Sequence, residues 1–416
     1  MPEVAAAAPW SDAWLEAEAA RYLDDPAHRR RTLEASLQNH HNTYSRLRLS
    51  HYGHVDRGWD ALPVWNPRSA PVTTATAAAL QAGGAATLPP DTAPLWDGRR
   101  PTTRAAWRAL GRTVFEAYPM RSEAFMAWGL RHPETLARHG VALDVAGSYP
   151  GLRVFRDVDG RTQIGITCAL CHTAVEAGQT VLGRARRTFD YGALRSAFHR
   201  DTGAPVDPEL ATRMLTWGPG RADVTEDEAE DPVAIPDLWG LRHQSSLTQA
   251  GTIRHIGPAA LAIRQETQIL DSNHQRIRPP RELAWALAVF LYDLVPPAPA
   301  RPSRHTEATL TQGRAVFVRE CSRCHDNPAY GGRALDARHV GTHPALATGA
   351  ARGTGLYRTP VLLGIAAGAP YLHDGSVATL AELFDPGRLP RVPGHAYGTQ
   401  LPPTARASLV AWLETL

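Results

Sequence analysis

The sequence predicts a mainly α-helical protein built from two tandem copies of one domain, preceded by an N-terminal extension. Three observations support this prediction. Amphipathic, helix-like segments recur along the chain, several sequence anchors occur twice in the same order, and the motif Cys-x-x-Cys-His occurs twice. The four cysteines of the 416-residue chain all lie in these two motifs, so one explanation must account for both pairs.

The internal repeat is the first of these observations. The segment "ALGRTVFEAY" at 109–118 matches "TQGRAVFVRE" at 311–320, and "IPDLWGLRHQSSLTQAG" at 235–251 pairs without a gap with "TPVLLGIAAGAPYLHDG" at 359–375, 124 positions further on. Each copy closes on a helix-like segment. The matched residues of the first pair are Gly111 and Gly313, Arg112 and Arg314, and Phe115 and Phe317. Anchors in the same order indicate a duplicated domain.

The separator between the copies is "VPPAPARP" at 295–302, which is too rich in proline for a helix or strand and suits a stiff linker. The extension opens with a helix-like stretch, "DAWLEAEAARYL", and continues into a Pro- and Ala-rich segment at 62–95 that we expect on the surface. The predicted divisions are an extension at 1–100, a first domain at 101–294, a linker at 295–303 and a second domain at 304–416.

The motif itself indicates covalently bound haem, because each cysteine can form a thioether bond with a haem vinyl group while the adjacent histidine binds the iron. A zinc site would need two further ligands, a redox dithiol would not need the histidine, and disulfides between residues three apart would add little stability. We therefore predict two c-type haem domains with two covalent haem c groups. The attachment residues are Cys168, Cys171 and His172 in the first domain, and Cys321, Cys324 and His325 in the second.

Haem of this kind is attached outside the bacterial cytoplasm, so we expect a periplasmic or secreted protein. The N-terminus "MPEVAAAAPWSDAW" lacks the pattern of a signal peptide, and we expect a processed chain with a new Met1. The longest apolar run, "LAWALAVFLYDL" at 283–294, is too short to span a bilayer, so no transmembrane segment is predicted. The net charge is only +3 and no basic face is interleaved with aromatic residues, which argues against a nucleic-acid partner.

The second axial ligand of each iron decides the function. A histidine or methionine there makes an electron carrier, whereas an open position lets peroxide or oxygen bind. The second domain contains no methionine, so a Met/His pair within that domain is excluded. The remaining candidates are His373, His395, Tyr397, His339 and His343.

The segment "YRTPVLLGIAAGAPYLHDGSVATLAELFDPGRL" resembles the C-terminal signature of the bacterial di-haem cytochrome c peroxidases. Their superfamily includes the methylamine-dehydrogenase maturation enzymes and the haem-containing rubber oxygenases. "WGPGRADV" at 217–224 is a weaker match, and the resemblance covers roughly residues 105–416. The ending "PGHAYGTQLPPTARASLVAWLETL" is similar to the rubber-oxygenase-like branch, whose motif histidine implies His395 as distal ligand, with Tyr397 as the alternative. The resemblance places His373 in a loop packed near the haem, and it alone suggests calcium as a further cofactor.

For the first haem, the repeat places Gln249 where the second copy has His373, and glutamine cannot replace histidine as an iron ligand. We therefore predict an open or water-bound distal site. Other candidate ligands lack a supporting motif: Met214, His199, His243, His255 and His274. Resemblance to the peroxidases implies Glu266, with Gln265, as the acid–base group for peroxide cleavage. An exposed helix residue is the other interpretation of Glu266.

One departure from the resemblance concerns electron sharing. The peroxidase and maturation branches have a bridging tryptophan where this chain has Thr248, Gln249, Ala250 and Gly251; Trp217 or Trp239 could substitute. A separate group of histidines is interpreted either as a metal site or, preferably, as scattered surface residues: His40, His41, His51 and His54.

The leading functional hypothesis is an exported di-haem oxidoreductase in which the C-terminal haem relays electrons and the N-terminal haem activates peroxide. Its partners would be hydrogen peroxide or dioxygen and an electron-donor protein. Two alternatives are a simple electron-transfer di-haem cytochrome and a rubber-oxygenase-like dioxygenase.

Overall fold

A computed structural model describes residues 8–52, 58–223, 225, 231–298 and 305–416, and these are mainly α-helical, as predicted. The α-helices are α1 Asp12–Asp24, α2 Pro26–Ser36, α3 Thr43–Tyr52, α4 Thr74–Gln81, α5 Arg104–Ala117, α6 Ala124–Arg131, α7 Pro133–Arg138, α8 Cys168–His172, α9 Tyr191–Thr202, α10 Pro208–Trp217, α11 Pro258–Ser272, α12 Arg281–Tyr292, α13 Glu307–Glu320, α14 Ala337–Val340, α15 Ala345–Thr348, α16 Leu380–Leu383 and α17 Pro403–Leu413. Short 3-10 helices lie at Gly58–Ala61, Leu241–His243, Ile365–Ala367 and Pro386–Arg388.

The strands are short. They are β1 Ser69–Thr73, β2 Arg121–Ser122, β3 Ser148–Arg156, β4 Thr162–Ile166, β5 Thr173–Glu176, β6 Gln179–Leu182, β7 Arg221–Ala222, β8 Val233–Ala234, β9 Ser246–Leu247, β10 Ile253–Arg254, β11 Leu335–Asp336 and β12 Leu356–Tyr357. Within the described residues, no helix is both long enough and apolar enough to cross a membrane.

The chain divides into two compact units, and each contains one Cys-x-x-Cys-His motif. Unit 1 comprises the described residues within Met1–Leu37, Leu47–Val181 and His255–Asp293; unit 2 comprises those within Gln38–Arg46, Leu182–Arg254 and Leu294–Leu416. Both units are therefore discontinuous in sequence, unlike the predicted domains. Residues 182–254, which belong to the first copy of the repeat, pack with the second motif. Positions 299–304 of the Pro-rich segment lie outside the described residues.

In each unit, two helices that carry the repeat cross at a glycine. In unit 1, α5 packs on α12, and a Cβ at Gly111 would lie 1.9 Å from the carbonyl oxygen of Ala286. In unit 2, α13 packs on α17, and a Cβ at Gly313 would lie 2.0 Å from the carbonyl oxygen of Ser408. Since no side chain fits at either point, only glycine allows the helix backbones to approach this closely. Gly111 and Gly313 thus correspond in the sequence because each lies where two helices approach too closely for a side chain.

The matched segments at 235–251 and 359–375, both in unit 2, also share backbone conformations. Gly240 and Gly364 have φ values of +66° and +76°, and each is followed by a 3-10 helix. Thr248 and Leu372 occupy the left-handed region at φ +67° and +70°, which is uncommon for residues other than glycine. Because equivalent positions make the same unusual turns, the repeat is a structural duplication as well as a sequence match.

Unit 1 contains a four-stranded antiparallel sheet of order β1-β3-β4-β2 that the sequence did not predict. Its edge strand β1 comes from the extension, where Ser69 pairs with Phe155 and Val72 is fully buried. The prediction that the whole segment at 62–95 lies on the surface is therefore wrong. Because the segment is rich in proline and alanine, its composition did not indicate the five-residue strand β1. This strand becomes buried by pairing with β3, which is distant in the sequence.

The extension also contributes to unit 2 through residues 38–46. The side-chain amides of Asn39 and Asn42 both donate to the carbonyl oxygen of Gly353, at 2.7 and 3.1 Å. The backbone amide of Thr43 donates to the carbonyl oxygen of Ala350 at 3.0 Å. The extension is thus part of the packing of each unit.

The helix crossing in unit 2 gives a first test. We expect Gly313→Ala to destabilise the protein by about 2 kcal/mol, because overpacking outweighs the better helix propensity of alanine. The measurement is the midpoint of thermal unfolding, followed by far-UV circular dichroism. Thr311→Ala, at an exposed position of the same helix, serves as the matched control and should change stability by less than about 0.5 kcal/mol. Equal midpoints for the two variants would contradict the proposed crossing.

Candidate haem sites

The second motif is a single turn at the end of α13. The amide of Cys321 donates to the carbonyl oxygen of Phe317 at 2.8 Å, which completes the helix. The amides of Cys324 and His325 both donate to the carbonyl oxygen of Cys321, each at 3.0 Å. This turn brings the two sulfur atoms and the imidazole of the motif together.

His325 has a defined orientation within this turn. Its Nδ1 lies 2.7 Å from the carbonyl oxygen of Tyr330, which places the ring proton on Nδ1 and leaves the lone pair on Nε2. Burial lowers the pKa of His325, while contacts with the carbonyl groups of Tyr330 and Pro360 act in the opposite direction. A neutral imidazole with its Nε2 available is the form that binds iron.

A cavity of about 490 Å³ lies beside the motif, entirely within unit 2. Cys321, Cys324 and His325 line it, and so do His373 and His395. The apolar part of its wall includes Phe317, Leu362, Leu383 and Phe384. An apolar cavity with a few convergent polar groups is typical of a cofactor site.

His395 is the candidate ligand that the geometry favours. Its Nδ1 is buried without a hydrogen-bond partner, and its pKa is lowered to about 4, first by burial and then by the charges of His325 and Arg388. Burial lowers the pKa of both His325 and His395, which favours the neutral imidazoles, and both side chains line the same cavity.

The loop carrying His395 is tightly constrained. His395 itself has φ +44°, a left-handed conformation that costs about 1–2 kcal/mol for a residue with a Cβ. Its amide donates to the carbonyl oxygen of Val340 at 2.7 Å. At the preceding Gly394 a Cβ would lie 2.4 Å from Cγ2 and 2.5 Å from the amide nitrogen of Thr342. The Pro-Gly-His sequence therefore holds the imidazole through its backbone.

The other predicted ligands are less suitable. His373 lines the cavity, but its Nε2 lies 3.2 Å from the hydroxyl of Tyr357, against which the ring packs. The hydroxyl of Tyr397 donates to the carbonyl oxygen of His339 at 3.0 Å, and Tyr397 is 46% exposed. His339 and His343 are exposed and are not among the residues that line the cavity.

The polar part of the wall contains four arginines, of which Arg319 and Arg323 are exposed and Arg187 and Arg358 are partly buried. Arg187 forms a bidentate pair with Asp237, with both N···O distances 2.9 Å. Arg358 donates through Nε to Oε1 of Gln249 at 3.2 Å, and burial lowers its pKa to about 10, opposed by the charge of Asp237. Haem has two carboxylate groups, so these cations, the apolar wall, the thiols and the imidazoles together fit that cofactor.

Residues at the predicted bridging position also belong to this cavity. Gln249, one of the four residues at that position, lines the wall and donates to the carbonyl oxygen of Ala234 at 3.1 Å. Of the two predicted substitutes, Trp239 lines the same cavity, with its Nε1 donating to the carbonyl oxygen of Leu182 at 3.0 Å. Trp217 is fully buried and stacks on Tyr191 instead.

The first motif lies in unit 1 and forms the short helix α8, directly after β4. The side chain of Thr167 caps this helix by accepting from the amide of Ala169 at 3.2 Å. Strand β3 passes so close that a Cβ at Gly151 would lie 2.1 Å from the amide nitrogen of Leu170. Cys168, Cys171 and His172 are all partly accessible at this turn.

The thiol pKa values do not have the direction expected of a redox pair. None of the four cysteines forms a disulfide, and burial raises the pKa of both Cys168 and Cys321 to about 11. Catalytic dithiols have a lowered thiol pKa instead. The electrostatics therefore disfavour the redox alternative and are compatible with covalent attachment.

The candidates for the distal ligand of the first haem are divided between the units. Those in unit 2 are Met214, His199 and His243; those in unit 1, with His172, are His255 and His274. Nε2 of His255 is in hydrogen-bonding contact with the hydroxyl of Tyr292, and His274 is exposed. The structure gives no reason to select any of them, so the open distal site stays a prediction.

Glu266 is not an exposed helix residue: its side chain, on α11, is fully buried. Its Oε2 accepts from the hydroxyl of Tyr22 at 2.7 Å, and its Oε1 accepts from Nε1 of Trp59 at 2.5 Å and lies 3.2 Å from Nε of Arg281. Gln265 is 7% exposed and accepts from Arg264 at 3.0 Å. Glu266 therefore has two hydrogen-bond donors and one cation around it.

This cluster extends to a second carboxylate. Asp60 contacts Arg281 and lies 3.0 Å from Nη2 of Arg29, so two carboxylates and two guanidinium groups balance each other. We call Glu266, Asp60, Arg29 and Arg281, with the donors Tyr22 and Trp59, the Glu266 network. Tyr22, Arg29 and Arg281 belong to helices α1, α2 and α12. No sequence motif identified any of the partners of Glu266. In the sequence, the presence of a tryptophan and a tyrosine in the extension, Trp59 and Tyr22, was the only feature that could have indicated these partners of Glu266.

The histidine group of the extension does not form a site in the part of the chain that the structure describes, where no cluster of three or more potential ligands occurs. His40 and His41 are exposed, as expected for scattered surface residues. His51 is instead fully buried, 3.3 Å from Asp271. His54 lies outside the described residues.

The Glu266 network predicts that removing the carboxylate of Glu266 lowers the stability of the folded protein. Glu266→Gln leaves the buried Arg281 with less compensating charge and should destabilise the protein by about 3 kcal/mol. Urea unfolding, followed by tryptophan fluorescence, measures the change. The control is Glu116→Gln, since Glu116 forms an exposed helical ion pair with Arg112 at 3.1 Å and such pairs contribute about 0.3–0.5 kcal/mol. Equal stability of Glu266→Gln and Glu116→Gln would count against a stabilising contact between Glu266 and Arg281.

Comparison with known protein families gives a match in the C-terminal part of the chain. Residues 355–392 match the model of the family described as RoxA-like, cytochrome c-like. Among solved structures, a MauG-like protein associated with microbial copper homeostasis is 21% identical, with a TM-score of 0.35, over 48% of this chain and 78% of that chain. Hydrazine synthase of Kuenenia stuttgartiensis, pressurised with xenon, is 16% identical, with a TM-score of 0.37, over 79% and 98%.

Comparison with curated proteins gives no match. Both structural similarities are too weak to carry an argument, so the assignment rests on the family model. That match falls within the segment whose resemblance was stated from the sequence. It confirms that residues 355–392 are similar to the RoxA-like, cytochrome c-like family.

Proposed function

We propose that the chain is an exported c-type cytochrome oxidoreductase that carries two haems. In this proposal, unit 2 holds a haem for electron relay through Cys321, Cys324, His325 and His395. Unit 1 holds a haem through Cys168, Cys171 and His172, at which hydrogen peroxide reacts. The observation that carries the proposal is the cavity in unit 2, which is lined by both thiols of one motif and by two neutral imidazoles.

The residues of unit 2 would serve electron relay in three ways. The Tyr330 carbonyl fixes the ring of His325, and the loop around Gly394 fixes His395, so both ligands are arranged before the cofactor binds. The apolar wall excludes water. Arg358 would balance the charge of a haem carboxylate, whereas the charge of Arg187 is already paired with Asp237. Bound haem supplies reversible one-electron chemistry, and a rigid, dry site keeps the reorganisation on electron transfer small.

Peroxide cleavage in unit 1 needs a group that moves a proton between the two peroxide oxygens. Glu266, with Gln265, is our proposed group. Since Glu266 already accepts from Tyr22 and Trp59, proton transfer there requires peroxide to replace one of these donors. If folded Glu266→Gln reacts with peroxide as fast as the wild type, the role of Glu266 is structural alone.

A second candidate function is oxygenase action on a hydrophobic polyene, as in the rubber oxygenases. It is favoured by the family match at 355–392. Incubation with polyisoprene and dioxygen, followed by analysis for carbonyl-terminated fragments, tests it. Cleavage products without added peroxide would favour the oxygenase over the peroxidase. A simple electron-transfer cytochrome remains the alternative if both irons are low-spin and unreactive.

The central experiment uses the full chain produced with a haem-attachment system and exported. We expect the intact mass to exceed that of the polypeptide by two haems. The oxidised protein should show one low-spin and one high-spin ferric signal by electron paramagnetic resonance. Hydrogen peroxide should change the Soret band of the high-spin component. A mass equal to the bare polypeptide would overturn the proposal, and an unchanged Soret band would exclude the peroxidase function.

His395→Ala tests the assignment of the second site. We expect the low-spin signal to be replaced by a second high-spin signal, because the variant lacks the sixth ligand, while the mass still includes two haems. His339→Ala is the matched control, since His339 is an exposed histidine of the same unit. If the low-spin signal persists in His395→Ala, then His395 is not the ligand, and His373→Ala becomes the variant to measure.

A further inference from the structure

Arg388 is a fully buried arginine of unit 2 that no sequence motif marked. It ends the 3-10 helix Pro386–Arg388, seven residues before His395. Arginine is almost never fully buried unless its charge is paired. A buried guanidinium must also satisfy its N–H donors, so its partners indicate its role.

Those partners are all backbone carbonyl oxygens. Nε donates to Leu383 at 3.0 Å, Nη1 to Val392 at 2.7 Å and Nη2 to His395 at 2.9 Å. The planar guanidinium directs its donors in a fixed fork, so these three bonds fix the positions of three carbonyl groups relative to each other. Arg388 thereby connects the end of α16 to the beginning and end of the loop at 392–395.

At His395 the backbone is held from both sides. Its amide donates to Val340 and its carbonyl accepts from Arg388. The residue between these two bonds has φ +44°, a conformation that a free loop would leave. The side chain makes no hydrogen bond through Nδ1, and its ring lies edge-on to Phe384 and Tyr397, with centroid distances of 6.5 and 5.7 Å. The backbone from which the imidazole projects is therefore held by Arg388 and Val340.

We propose that Arg388 is the positioning residue for the distal histidine: it holds His395 in the conformation that points its imidazole at the iron, and its buried charge favours the reduced state of that iron. The inference rests on the proposed function, because it requires haem in the cavity of unit 2 and His395 as its ligand. A guanidinium charge close to the ligand disfavours the additional positive charge of the ferric state. The same residue would thus influence both coordination and reduction potential.

Arg406 provides a matched control within the same region. Unlike Arg388 it is only partly buried; its Nη1 lies 3.3 Å from the carbonyl oxygens of both Phe384 and Thr399, but it makes no bond to His395. A variant without Arg406 loses an arginine that bonds neighbouring carbonyl groups, but it keeps the bond between Arg388 and His395. Differences between variants at the two positions therefore report on His395 rather than on general loop stability.

The experiment compares Arg388→Met, Arg388→Lys and Arg406→Met in the haem-loaded, full-length protein. We expect Arg388→Met to lose most of the low-spin signal of the second haem and to recover it when free imidazole is added. Arg388→Lys, which keeps the charge but only part of the fork, should retain more of this signal. Where the low-spin form persists, its reduction potential should fall in Arg388→Met and stay closer to the wild type in Arg388→Lys. Arg406→Met should keep the wild-type spectrum and potential.

Failure of the two proposals can be distinguished. If His395→Ala keeps its low-spin signal, the site assignment fails and the role of Arg388 fails with it. If His395→Ala loses the signal but both Arg388 variants keep the wild-type spin state and potential, the inference alone is overturned. Should Arg388→Met fail to fold by circular dichroism, Arg388→Lys decides by the same two measurements, and a wild-type spectrum and potential in that variant would overturn the inference.

Discussion

The candidate chemistry of unit 2 depends on one constraint, namely that two imidazoles must remain neutral and unpartnered at their iron-facing nitrogens inside a protein interior. Burial supplies the neutrality, since it lowers the pKa of His325 and brings that of His395 to about 4. Backbone contacts supply the direction, through the carbonyl of Tyr330, which accepts from the ring of His325, and the carbonyl of Val340, which accepts from the amide of His395. Neither ring relies on a side-chain partner that iron would have to displace.

Local signals were sufficient for the features that depend on a few adjacent residues. The two Cys-x-x-Cys-His motifs and the repeat segments, including the pairing of Gly111 with Gly313, were found from the sequence, and the structure adds that these glycines are helix crossings and that Gly240 and Gly364 begin equivalent turns. In each case the conformation is determined by the residue type itself: a glycine permits close approach or a left-handed turn, and a Cys-x-x-Cys-His turn arranges its own side chains. These are the parts of the fold that the duplication preserved.

Features that depend on distant pairing were not predictable. Strand β1 pairs with β3 about eighty residues later, residues 38–46 pack with positions near 350, and Trp59 and Tyr22 donate to Glu266 across 207 and 244 positions. Such contacts leave no periodic pattern in one sequence. Arg388 was missed for a related reason, because an arginine that bonds only backbone carbonyls has no complementary residue type to search for.

The Glu266 network changes the interpretation of the extension. A buried carboxylate is stable only when its charge is compensated and its oxygens are hydrogen-bonded. Here Arg281 provides the charge, but both hydrogen-bond donors, Tyr22 and Trp59, come from the first hundred residues. A chain without the extension would bury Glu266 with two of its three interactions unmet. The extension is therefore a structural requirement of unit 1, and any proton transfer by Glu266 must occur with the donors that the extension places around it.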